Sequence, residues 1–128
     1  MKAKDLRIGN YVEVDGMMLR VVSISNNGET HIEVKTPQNK KMEVAINEIK
    51  PIPLADDMLI SNCQFDENGM HTIGLDEHRY YLKIQDGYIV LLNQQEDPLI
   101  HFWDVRYLHS LQNLYHALKG KEMEITIK

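Results

Sequence analysis

Across the first fifty residues, apolar and polar side chains alternate in short runs that turn signals interrupt. RIGNYVEV ends at Asp15-Gly16, a pair that favours the left-handed backbone of a two-residue hairpin turn. MMLRVVSIS follows, then a second turn at Asn26-Asn27-Gly28, then THIEVKT, where Ile32 and Val34 alternate with His31, Glu33 and Lys35. A period of two with one apolar side reads as a half-buried strand. After the polar loop PQNKK come MEVAI and NEIKPIPL. Four or five strands this short and closely spaced predict a small SH3-like β-barrel over residues 1–52, because closure removes exposed sheet edges.

Pro51 and Pro53 break the alternation and divide the chain, leaving residues 53–128 as an α+β module. ADDMLISNC predicts a short helix with Asp56 and Asp57 at its positive end. MHTIGL and HRYYLKI read as strands, and Asp86-Gly87 turns YIVLLNQ back antiparallel. That turn sets Ile84 opposite Ile89 and Leu82 opposite Leu91 on one apolar face, with Tyr81, Lys83, Val90 and Leu92 on a more mixed one. PLIHFW is a further strand. Val105 to Lys119 is expected as a helix, capped by Asp104, stapled by Trp103 against Leu108 and stopped by Gly120. KEMEITIK alternates strictly and reads as a last half-buried strand, whose edge offers a route to a homo-oligomer. The fold class is therefore α+β, an SH3-like barrel followed by an antiparallel sheet with two helices.

On a helical wheel, Tyr107, Leu108, Leu111, Leu114, Tyr115 and Leu118 fill an arc of about 120°. The other side carries Arg106, His109, Gln112, Asn113 and His116, where a soluble helix usually shows Glu and Lys. Two accounts stay open. Either these groups satisfy backbone atoms beneath a sheet or loop, or they form a recognition surface for a protein partner, hydrogen-bonding without the desolvation cost of charged pairs.

Charge is uneven along the chain. The net value is −5, yet residues 1–50 carry eight Lys/Arg against seven Asp/Glu, and residues 51–128 carry six against twelve. A polyphosphate needs Lys and Arg to displace its counterions. Net charge thus disfavours nucleic acid, and any such contact is expected in the N-terminal half, at Arg7, Tyr11, Arg20, Lys35, Lys40 and Lys41. The carboxylates Glu13, Glu29, Glu33 and Glu43 interleave with these residues.

No reaction chemistry is legible. His109 and His116 lie on one helix face but about 10.5 Å apart along the axis, too far to share a metal. FDENGMHTIGLDEH misses the calcium-loop register, since Met70 and His71 fall where Asp/Asn and Gly belong. Cys63 is alone and reads as packing. Asp56 and Asp57 point about 100° apart on a helix and form no acid/base pair. The expectation is no catalytic residues, no metal and no cofactor. No run of apolar residues reaches the roughly 20 needed to span a bilayer, and MKAKDLRIGNYV has no apolar signal core. A cytoplasmic setting without membrane contact is expected.

LRIGNYV, IKPIPL and LHSLQNLYHALKGKEMEI together resemble a family of small, functionally unassigned proteins of Bacteroidetes and their phages. Its members read LRIGN, then PIPLTEEWL, then HQLQNLYFALTGEEL. The similarity runs nearly end to end and implies a bacterial or mobile-element context, with no activity and no functional residues to carry over. Met58 stands where the family often has tryptophan, and His116 where phenylalanine is common. The leading expectation is a non-catalytic module that binds another protein. The alternative is a nucleic-acid accessory protein working through its N-terminal half.

Overall fold

The computed structural model describes residues 2–27 and 29–126. They divide into two compact units, Met1–Ile52 and Pro53–Lys128. Each unit is built on its own four-stranded antiparallel sheet, and two α-helices belong to the second, giving an α+β protein.

In the first unit, β1 (Tyr11–Val14), β2 (Met17–Asn27), β3 (Glu29–Lys35) and β4 (Lys41–Ala45) lie side by side in chain order. Asp15 and Gly16 both take positive φ, 51° and 79°, so the β1–β2 hairpin turns in two residues. Asn26 and Asn27 extend β2 rather than forming a turn, and Gly28 lies outside the described residues. One face buries Val12, Val14, Leu19, Val21, Ile32, Val34 and Val44, with Leu6 and Ile49 added from the flanking segments. No closed barrel forms among the described residues. After β4 a 3-10 turn, Ile46–Glu48, brings Lys50 back to β1, where its N–H and C=O both bond Glu13 at 2.9 Å. NEIKPIPL therefore contributes a single bridge where a fifth strand was expected.

The second unit orders β5 (Met70–Leu75), β6 (His78–Gln85), β7 (Tyr88–Leu92) and β8 (Pro98–Phe102) in the same sequential way. Asp76-Glu77 and Asp86-Gly87 make two-residue turns with positive φ throughout. Ile84 pairs with Ile89 and Leu82 with Leu91, as the spacing predicts. His71 opposes Leu82 and its ring meets Tyr115, so α2 (Leu108–Lys119) covers this face. The face expected to be mixed is also buried at its centre: Tyr88, Val90 and Leu92 cluster there with Met70 and Tyr81. All five β7 residues are consequently buried.

Three loops repeat one pattern. In Thr36–Lys40, Asp66–Met70 and Asn93–Asp97, the first N–H bonds the fifth C=O, and the fourth N–H bonds the first C=O. The first side chain accepts the fifth N–H, while the fourth residue (Asn39, Gly69 or Glu96) is left-handed. This arrangement is a type I turn closed by a left-handed residue.

Two expectations need correction. The C-terminal helix begins at Leu108, not Val105, because the chain at Tyr107 is extended and bridges Pro53, and Arg106 C=O accepts the Leu54 N–H. Asp104 therefore caps nothing, and Trp103 is exposed instead of stapled. Gly120, at φ 71°, does end the helix in the left-handed conformation. Residues 122–126 are not a strand either. Thr126 N–H bonds Asn62 C=O and Asn62 Nδ2 donates to Thr126 C=O, at the end of α1 (Asp56–Asn62). The alternation marked one-sided burial, with Met123 inward, against a helix end and not a sheet edge. Ile127 lies outside the described residues.

Asn10 is fully buried and its side chain accepts the Arg7 N–H at 2.6 Å, closing the turn that leads into β1. Asn10→Ala is expected to cost about 1–3 kcal/mol, the range for orphaning a buried donor, read from urea unfolding midpoints.

Candidate functional site

The polar side of α2 is not one open surface. His109 is 6% exposed and Gln112 1%, while Asn113 and His116 are half-buried. Arg106 is exposed but precedes the helix. At about 100° per residue, the buried arc runs through Leu111, Leu108, Gln112 and His109. Leu114, Tyr115 and Leu118 are left half-buried, and Tyr107 is exposed. The inward direction is rotated toward the polar side from the one that hydrophobicity alone indicates. Gln112 and His109 are therefore interior side chains.

Exposed large apolar side chains concentrate in another stretch of the chain. Of the seven large hydrophobic side chains that stand exposed among the described residues, Leu99, Ile100, Trp103 and Tyr107 fall within residues 99–107, on and just after β8. β8 is a terminal strand of its sheet. Trp103 is 58% exposed yet held in place. Its ring lies 4.5 Å from that of buried Tyr88 and stacks on His101 at 5.0 Å and 12°. The Arg106 guanidinium sits 5.5 Å over the Tyr88 ring, and the Tyr88 hydroxyl lies within hydrogen-bond reach of His101 Nδ1 and Gln85 Nε2. Sequence reasoning missed this cluster because it assigned Trp103 to a helix staple. The usable signal was PLIHFW itself, which lacks the alternation of a strand with one wet face.

The six nucleic-acid candidates separate. Tyr11, Arg20, Lys35 and Lys41 are successive cross-strand partners, Tyr11↔Arg20, Arg20↔Lys35 and Lys35↔Lys41, and so form one row across β1–β4. They point away from the buried valines that neighbour them. Lys40 adjoins the row from the 36–40 loop. Arg7 stays outside it, in the turn before β1.

Cys63 is fully buried, its Sγ 3.9 Å from Met58 Sδ, and burial pushes its thiol from 9.0 up to about 11. A thiol this hard to ionise is a poor nucleophile. Among the described residues, no three His, Cys, Asp or Glu side chains are placed to hold a metal ion. An open depression of about 280 Å³ is lined by His78, Arg79, Tyr80, Asn93, Gln94 and Gln95, without a buried acid or base. No described helix is long and apolar enough to cross a membrane. The fold and its surfaces define an α+β protein of two antiparallel-sheet units. Comparison with protein-family models, curated proteins and solved structures finds no match.

Gln112→Ala is expected to lower stability by about 1–3 kcal/mol through a hole and lost hydrogen bonds, with Gln112→Leu costing less in the same denaturation assay. For Cys63, the unfolded thiol ionises near 9.0 and the folded one near 11. Its contribution is therefore complete below pH 9 and lost as pH rises from 9 to 11. A Cys63→Ala variant should show a shallower loss of stability over that window.

Proposed function

We propose that this protein is a non-catalytic binding module whose partner is another protein, docked along the β8 edge and the Trp103 cluster. One observation carries this reading: the exposed large apolar residues Leu99, Ile100, Trp103 and Tyr107 fall close together in the chain, on a terminal strand and the turn after it. Tryptophan, tyrosine and arginine dominate the energetics of protein interfaces, and all three meet here. Tyr88 and His101 hold the Trp103 ring before any partner arrives, which reduces the entropy lost on binding. The strand edge itself is a template for an added strand.

The proposal moves the docking region from the α2 polar side to the surface that begins before that helix, with Arg106 common to both. It takes the first unit as SH3-like, supported by the Glu13–Lys50 bridge that follows the 3-10 turn. It also takes the setting as the cytoplasm of a bacterium or its mobile element, supported by the LRIGN, PIPL and LQNLY motifs.

Trp103 is the chain's single tryptophan, so its fluorescence reports this site alone. A partner purified from the native cell should shift Trp103 emission to the blue. Trp103→Ala and Ile100→Lys should each weaken the complex tenfold or more, the scale of an interface hot spot, with stability changed by less than about 1 kcal/mol. Unchanged affinity in both variants contradicts the reading. A dimer of the protein alone, abolished by Ile100→Lys in sedimentation, would assign the edge to a second copy instead.

A further inference from the structure

The Tyr11–Arg20–Lys35–Lys41 row has a physical oddity. Residues directly opposite on an antiparallel pair bring their Cβ atoms to about 4.5–5.5 Å, and like charges placed so repel. Arg20 faces Lys35, and Lys35 faces Lys41, so three cations stand abreast on one face. A sheet selected only for stability would alternate signs across the strands. Here the signs are sorted instead. Glu33 faces Glu43 in an adjacent row, and the Glu43 carboxylate is drawn to His31 Nδ1 at 2.7 Å. Among the described residues, no carboxylate pairs with Arg20, Lys35 or Lys41. Arg20 and Lys41 are exposed, and Lys35 is half-buried between them.

We propose that this row is a second binding site, for the backbone of single-stranded nucleic acid lying across the strands. The inference is independent of the docking reading, since it rests on other residues in the other unit. Strands sit about 4.8 Å apart, so Arg20 to Lys41 spans roughly 10 Å, a length of backbone rather than one isolated anion. Lys40 lengthens the cationic track at the Lys41 end. Tyr11 occupies the other end of the row, half-buried. A cationic track beside an aromatic on an open sheet face is how strand-tolerant nucleic-acid sites are built. A single strand suits this face better than a duplex because the bases must reach a side chain on a flat surface. The second unit, rich in carboxylates, would repel the same polymer and confine it to the first.

The test is fluorescence anisotropy of a labelled 15-mer oligothymidylate with the full chain. Neutralising three or four phosphates predicts a log K against log salt slope of about −2 to −3, at roughly −0.7 per phosphate for a single strand. Affinity should then fall roughly 20- to 50-fold between 50 and 200 mM salt. Lys35→Gln and Lys41→Gln should each weaken binding several-fold and flatten the slope by about 0.7. Without ligand, Lys35→Gln should melt higher than the parent at low salt, because one repulsion is gone, with the gap closing as salt rises. Tyr11→Ala should weaken oligothymidylate but leave heparin unchanged. No binding at 50 mM salt overturns the proposal, as does binding indifferent to Lys35→Gln and Lys41→Gln. Equal affinity for polyglutamate, or for duplex DNA, also overturns it.

Discussion

Cross-strand register is the constraint on which both units depend, and short hairpin loops with left-handed backbone set it. Side chains alternate along a strand, so a slip of one residue would turn every buried valine of the first sheet outward. Asp15-Gly16, Asp76-Glu77 and Asp86-Gly87 allow two residues and no more between their strands. The three-residue hairpins at Thr36–Lys40 and Asn93–Asp97 fix the β3–β4 and β7–β8 pairings, each with its first side chain capping the turn, while the β2–β3 ladder carries a bulge between Val21 and Ser23. Given those loops, Val12, Leu19 and Val34 go inward. The β2–β3 and β3–β4 registers set Arg20, Lys35 and Lys41 side by side. The proposed nucleic-acid track thus shares its register with the core, Arg20 with Lys35 through the β2–β3 ladder and Lys35 with Lys41 through the Thr36–Lys40 hairpin.

Much of this was legible. Asp-Gly pairs announced two hairpins, period two announced the strands, and the pairing of Leu82 with Leu91 followed from the turn alone. Gly120 marked the end of α2 because its left-handed conformation suits glycine. What could not be read was long-range. Helix α2 starts late because Arg106 C=O is taken by Leu54, more than fifty residues earlier. KEMEITIK meets the end of α1 instead of a strand, through Asn62. Periodicity reports that one side is buried and is silent about what does the burying.

The same gap explains the polar helix. His109 and Gln112 could be read either as a recognition surface or as groups lying beneath a sheet or loop. Burial makes them interior groups, and the inward arc of α2 turns toward them. The conspicuous Asn10 of LRIGN has a comparable explanation, a buried acceptor holding the Arg7 N–H. Motif residues in this chain hold backbone in place. The exposed surface that needs another explanation, around Trp103 and Leu99, carries no motif at all.

The central claim is that cross-strand register puts particular side chains abreast. Cross-strand backbone NOEs in solution test it most directly. The account predicts contacts linking Arg20 with Lys35, Lys35 with Lys41, and Lys83 with Val90. NOEs displaced by one residue, with Arg20 opposite Val34 or Thr36, would turn the cationic row to the other face and contradict the account.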